Sequence, residues 1–98
     1  MKALKELLTG VDAVKVCGNL DVQVGKVHFD SRKVEKGDLF VAQRGVHADG
    51  HAFIEKAISL GASVVVCEEL PEQLDERVTY VVVADSSFAL GILASNYY

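Results

Sequence analysis

Two short runs constrain this chain more than anything else in it. Residues 62–67 read Ala-Ser-Val-Val-Val-Cys and residues 78–84 read Val-Thr-Tyr-Val-Val-Val-Ala. Neither alternates cleanly between apolar and polar side chains. A strand of this kind is expected where both faces of its sheet are covered. The segment before the first run supplies a partner and a cover. Leu39 to Gln43 is a further strand, after the turn signal Lys36-Gly37-Asp38. A helix follows from about Gly50 to Leu60, with Asp49 as N-cap and Gly61 just past its end. Phe53, Ile54, Ala57 and Ile58 form its apolar face, and Glu55 and Lys56 point away. This strand–helix–strand unit predicts a right-handed crossover between parallel strands.

The flanks complete the order. Met1, Leu4, Leu7, Leu8 and Val11 recur at helical steps and stop near Gly10. Val14–Cys17 is a small strand. Val22, Val24, Val27 and Phe29 mark another, with Gly25 as a bulge. Asp85-Ser86-Ser87 caps a last helix carrying Phe88, Ala89, Ile92, Leu93 and Tyr97. The expected fold class is α/β: a small mixed sheet of about five strands flanked by helices, in the order α-β-β-β-α-β-β-α. A chain of 98 residues builds one core, not two. No repeat, linker or low-complexity tract divides it. The last helix ends at Asn96-Tyr97-Tyr98 with no capping glycine, which reads as the cut end of a domain.

Charge and cysteine content exclude some functions. With 14 acids against 10 bases the formal charge is -4, so there is no basic footprint for nucleic acid. No apolar run approaches the roughly 20 residues of a membrane span. The N-terminus lacks the clean hydrophobic region of a signal peptide, and the expected compartment is the cytoplasm. Cys17 and Cys67 are far apart, belong to no Cys-x-x-Cys pair and read as buried thiols.

The common catalytic signatures are missing. There is no Gly-x-x-x-x-Gly-Lys-Ser/Thr phosphate loop, no Gly-x-Gly-x-x-Gly and no Gly-x-Ser-x-Gly elbow. His47 and His51 lie four apart, a spacing that holds a metal on a continuous helix. Here Gly45-Val46 and Gly50 put His47 before the helix, and no third strong ligand is near. Asp30 and Asp85 each follow a strand, as a phosphoryl-accepting aspartate does. Cap and turn roles suit both better.

Two loop-like segments at predicted strand ends remain. One is Phe29-Asp30-Ser31-Arg32-Lys33-Val34; the other runs from Arg44-Gly45-Val46-His47-Ala48 to Asp49-Gly50-His51. Ligands of open α/β sheets bind at such ends. Ser31 offers a hydroxyl and an N–H, and Arg32 a charged fork unless it pairs with an acid. Main-chain groups across Val46–Ala48 can read the edge of a base, and the helix start after Asp49 favours an anion. Together these suit an anionic nucleotide. They suit equally two tight turns whose Asp and Ser residues bond their own backbone. Asp30 reads as structural, since its carboxylate would repel a phosphate.

These residues also carry a resemblance. Asp30-Ser31-Arg32, Gly37-Asp38-Leu39-Phe40-Val41-Ala42, Gly45, Asp49-Gly50-His51, Ala57-Ile58 with Gly61-Ala62, and Ala89-Leu90 through Leu93-Ala94-Ser95-Asn96-Tyr97-Tyr98 resemble the N-terminal domain of the Mur ligases. The likeness covers nearly the whole chain. It is strongest to the member that adds the third residue of the peptidoglycan stem peptide. The ligase that follows, which adds D-Ala-D-Ala, shares much of the pattern.

The resemblance implies a domain, residues 1–98, that holds the UDP moiety of UDP-MurNAc-L-Ala-D-Glu. It places Phe29 and Ser31 in that site, with Ser31 toward the diphosphate. It places Val46, His47 and Ala48 around the uracil, largely through main-chain atoms. The parent enzyme would be an ATP- and magnesium-dependent amide ligase that activates the D-glutamate carboxylate. Its central domain would carry the ATP loop and would be this domain's partner. The fragment alone would hold no cofactor, bind no nucleic acid or membrane, and catalyse nothing. The competing reading is a receiver-like interaction module using Asp30 or Asp85. It lacks the acidic pair after the first strand.

Overall fold

The computed structural model describes residues 2–44 and 49–98. Its centre is a five-stranded sheet. The strands are β2 (Ala13–Cys17), β4 (Val27–His28), β5 (Leu39–Val41), β6 (Val64–Cys67) and β7 (Thr79–Val83), in spatial order β2-β7-β6-β5-β4. β4, β5, β6 and β7 run parallel, and β2 closes one edge antiparallel to β7. The mixed α/β sheet of about five strands is therefore as expected.

The two apolar runs are covered on both faces, and their alternation shows how. Val64, Val66, Val81 and Val83 pack with Leu4, Leu7, Ala89 and Leu93. These last residues belong to α1 (Leu4–Leu7) and α3 (Ser86–Tyr97). Val65, Cys67 and Tyr80 face the opposite way, onto Ile54 and Ala57 of α2 (Ile54–Ser59). Val64, Val65, Val66 and Val81 are all fully buried. Each contributes about 1.5–3 kcal/mol by leaving water. Cys67 is buried and Cys17 half-buried, and both are free thiols. Burial pushes the Cys67 thiol up to about 11, which keeps it protonated and inert.

Three elements differ from the sequence expectation. The first helix is one turn, Leu4–Leu7, and is preceded by a two-residue strand, β1 (Lys2–Ala3). The strand expected over Val22–Phe29 breaks in two. β3 (Gln23–Val24) pairs with β1 in a separate antiparallel ladder, and β4 joins the main sheet. Gly25 is the break: a Cβ there would lie 2.7 Å from Asp38 Oδ1. That carboxylate is 3 % exposed and accepts from the N–H of Lys26 at 3.0 Å and of Glu35 at 2.9 Å. Asp38 thus ties the starts of β4 and β5 together. The third difference is the helix expected from Gly50. Its first turn, Gly50–Phe53, is a 3₁₀ helix, and α2 proper begins at Ile54.

α3 starts as its sequence dictates. Asp85 Oδ1 accepts from the Phe88 N–H at 3.0 Å. Phe88 itself lies outside the core, 65 % exposed. At the other end Asn96 Nδ2 donates to the carbonyls of Leu7 at 2.8 Å and Thr9 at 2.7 Å. The Tyr97 hydroxyl donates to the Gly25 carbonyl. Tyr98, in contrast, is exposed.

Candidate functional site

Because β4 to β7 are parallel, the segments that follow each of them gather at one edge of the sheet. Phe29–Lys33 follows β4, Gln43 and Arg44 follow β5, Glu68 and Glu69 follow β6, and Asp85–Ser87 follows β7. This is where open α/β sheets hold ligands.

The first of these segments is locked by its aspartate. Asp30 Oδ1 accepts from the Arg32 N–H at 3.0 Å and starts a 3₁₀ turn over Ser31–Lys33. The Arg32 guanidinium folds back on the same carboxylate, with Nε 3.1 Å from Oδ1 and Nη2 2.9 Å from Oδ2. Those charged hydrogen bonds pull the Asp30 carboxyl down to about 2. Arg32 therefore pairs with its own turn and offers no free fork. Ser31 is 6 % exposed, and Phe29 stands 63 % exposed.

An open cleft of about 490 Å³ runs between this turn and the start of α2. Phe29, Asp30, Ser31 and Arg32 line one wall, and Gln43, Gly50, Phe53 and Lys56 the other. The cleft thus joins the two segments that the sequence singled out. The second wall depends on a close approach. The Gly50 N–H donates to the Gln43 carbonyl at 2.8 Å, and a Cβ on Gly50 would lie 2.7 Å from Gln43 N. Only glycine brings these two backbones together. Val46, His47 and Ala48, expected around the uracil, lie outside the described residues.

His51 does different work from metal binding. Its Nε2 accepts from the N–H groups of Glu68 at 2.9 Å and Glu69 at 3.2 Å. An accepting Nε2 puts the ring proton on Nδ1, which sits 2.6 Å from Asp49 Oδ1. The same carboxylate oxygen accepts the His51 N–H at 2.9 Å. The turn at Asp49 is thus already supplied with a negative charge, and its first free donor is already used. That removes the anion-attracting role expected for this helix start.

A polar network behind the cleft had no counterpart in the sequence reading. Gln43 Nε2 donates to Ser87 Oγ at 2.9 Å, and the Arg44 N–H to Ser86 Oγ at 3.2 Å. The Ser86 N–H donates to Glu68 Oε2 at 2.8 Å and holds that carboxyl below its ordinary range. The Arg44 guanidinium spans Asp49, Glu68 and Glu69. These bonds hold Gln43 and Gly50 in place from the side of β6 and α3. Asp85 acts as the α3 cap, and Asp30 as a turn residue. Among the described residues, no three side chains of metal-ligating type converge. A separate cleft of about 480 Å³, between α2 and residues 71–75, includes none of these loops.

Parallel strands whose segments after β4 and β5 flank one cleft make this an open α/β architecture of the kind that holds ligands at the strand ends. Residues 23–98 match the family described as Mur ligase family, catalytic domain, and the chain belongs to the Mur ligase family. Over 95 residues it is 50% identical to a UDP-N-acetylmuramoyl-L-alanyl-D-glutamate--2,6-diaminopimelate ligase of Bacteroides fragilis. Over 96 residues it is 51% identical to the ligase of the same name from Cytophaga hutchinsonii. Each match covers 97% of this chain and 20% of the relative. Among solved structures, a crystal structure of MurF from Acinetobacter baumannii matches with a TM-score of 0.79 at 26% identity, covering 97% of this chain and 20% of that one. MurF from Thermotoga maritima in complex with ADP matches with a TM-score of 0.61 at 33% identity, over 70% of this chain and 16% of that one. The chain therefore spans about a fifth of the length of the relatives it matches.

Proposed function

We propose that this chain is the domain that anchors the UDP moiety of UDP-MurNAc-L-Ala-D-Glu in a ligase that adds the third residue of the peptidoglycan stem peptide. The observation that carries it is the cleft between Ser31 and Gly50, in a chain of this family. Phe29 and Phe53 give it apolar surface for a base and ribose. Ser31 gives it a hydroxyl for a phosphate oxygen. Val46, His47 and Ala48 remain the proposed uracil-reading segment. The relatives at about half identity are named for 2,6-diaminopimelate, and we carry that amine as the substrate of the whole enzyme. The two solved structures compared above are MurF enzymes, so the same role in the following ligase is the second reading. The higher identity to the diaminopimelate ligases favours the first.

In this proposal the 98-residue chain orients substrate and transfers nothing. The ATP and magnesium that the family implies find no fit here. The sequence holds no Gly-rich lysine loop, and the described residues hold no carboxylate cluster suited to a cation. Activation of the D-glutamate carboxylate is therefore assigned to the rest of the ligase, whose central domain is the proposed partner. A cytoplasmic location belongs to the same proposal, since the whole reaction consumes ATP. Among the described residues no helix is long and apolar enough to cross a membrane.

The test is an amide NMR titration of the chain with UDP, with ATP as control. Saturable shifts confined to Phe29–Arg32 and residues 43–50 under UDP are the expected result. A second titration with UDP-MurNAc-L-Ala-D-Glu covers the case in which UDP alone is too weak. No shifts in these loops with either ligand would refute the assignment.

A further inference from the structure

The charges lining the cleft do not balance, and the imbalance falls on one residue. Asp30 is the acid in the lining, and the Arg32 guanidinium neutralises it through two hydrogen bonds. Gln43, Ser31 and Gly50 carry no charge. Among the described residues Lys56 is the remaining ionic group of the lining, and it makes no ion pair with any of them. Glu55, its neighbour in sequence, faces the separate cleft near Pro71. Lys33 lines a different groove, on the far side of Phe29.

The fold holds Lys56 in that position. Ile54 and Ala57 are buried against the sheet and fix the rotation of α2. Residues three apart share a helix face, so Lys56 lies beside Phe53. Both line the wall opposite Ser31. Phe53 is 43 % exposed and gives the lysine stem an apolar surface to lie along. The ammonium then reaches the cleft, where its one strong preference is for an anion.

Resting on the nucleotide-site reading above, we infer that Lys56 pairs with the diphosphate of the bound nucleotide and makes this cleft select a nucleoside diphosphate over the uncharged nucleoside. Ser31 supplies a hydrogen bond from one wall, and Lys56 supplies the charge from the other. The lysine is a point charge on a flexible stem, so it follows the phosphates without fixing their geometry. It acts on affinity and takes no part in a chemical step.

The experiment compares the wild-type chain with Lys56→Gln and Lys56→Arg, titrated with UDP and with uridine at low and at physiological ionic strength. Wild type should bind UDP more tightly than uridine. Lys56→Gln should weaken UDP binding by about threefold to tenfold, the range for losing one charge-assisted contact at a partly exposed site. It should leave uridine binding and the melting temperature unchanged and flatten the salt dependence. Lys56→Arg should restore most of the loss. If wild type binds UDP in these loops but Lys56→Gln binds it equally well, the role of Lys56 is wrong and the nucleotide site stands. If wild type shows no preference for UDP over uridine, the charge-selection claim fails. If neither UDP nor UDP-MurNAc-L-Ala-D-Glu perturbs the loops, the site and this inference fall together.

Discussion

Replacing Asp38 tests whether one buried carboxylate holds together the strands that lead into the cleft. Its two oxygens each accept one backbone N–H, from Lys26 and Glu35, and His28 Nε2 lies 3.2 Å from Oδ2. Asp38→Ala removes both acceptors. An unpaired buried N–H costs about 1–3 kcal/mol, and these two are partly buried, so about 1–2 kcal/mol each, or about 2–4 kcal/mol in all, is expected. Asp38→Asn keeps one carbonyl oxygen and turns the other acceptor into a donor facing an N–H. It loses one acceptor instead of two, and the two facing donors offset part of that difference, so its cost should fall below the alanine variant's. Total stability for a domain is about 5–15 kcal/mol, so the alanine variant should still fold. Urea unfolding followed by circular dichroism gives the two differences at constant slope. Amide exchange should show lost protection at Lys26 and Glu35, and the Phe29–Arg32 resonances should broaden as β4 loosens. A loss below about 1 kcal/mol for alanine, or equal losses for alanine and asparagine, would refute the reasoning.

Three further outcomes follow from the site. Ser31→Ala should weaken UDP binding by about threefold to tenfold while leaving the melting temperature within a degree or two, because the serine hydroxyl has no partner among the described residues; titration calorimetry beside a thermal melt checks both. The Asp30 carboxyl, held near 2 by Arg32, contributes stability that is fully present above the ordinary aspartate pKa near 4 and disappears as the pH falls through about 2. A side-chain carboxyl NMR titration should show that low midpoint in the wild type and a return toward 4 in Arg32→Gln. His51→Ala should cost about 1–2 kcal/mol by stripping the acceptor from the Glu68 and Glu69 N–H groups, and a chelator should leave both proteins unchanged in a thermal melt.

The parallel core was legible because its signal is local. The runs at 62–67 and 78–84 carry strand length, burial and boundaries in the residues themselves. The Asp85 and Asp49 caps were legible for the same reason. The break at Gly25 leaves a signal in the alternation: Val22 and Val24 are even positions, whereas Val27 and Phe29 are odd. A bulge shifts parity by one just as a corner does, so only the pairing of β3 with β1 and of β4 with β5 shows two strands. Phe29 then falls past the end of β4, which is why it stands exposed in the cleft wall. The bonds of Gln43 to Ser87 and Arg44 to Ser86 span 44 and 42 residues. No local pattern announces them, since each polar residue alone reads as a loop. Lys56 illustrates the same limit. On a helical wheel it merely points away from the core; only the fold shows that away from the core means into the cleft.

The bonds from the end of α3 have a consequence for the order in which this chain takes shape. The Asn96 amide closes on the Leu7 carbonyl across 89 residues, and the Tyr97 hydroxyl closes on Gly25 across 72. During translation, at about 5–20 residues per second, α1 and the corner at Gly25 leave the ribosome early and without their final partners. The β-ladders can form before those partners arrive, but the clasp cannot. The unit locks only when the turn at Asn96-Tyr97 clears the exit tunnel. Until then the Leu7 carbonyl stays bonded to water, and a nascent chain with Asn96 still inside the tunnel lacks the clasp.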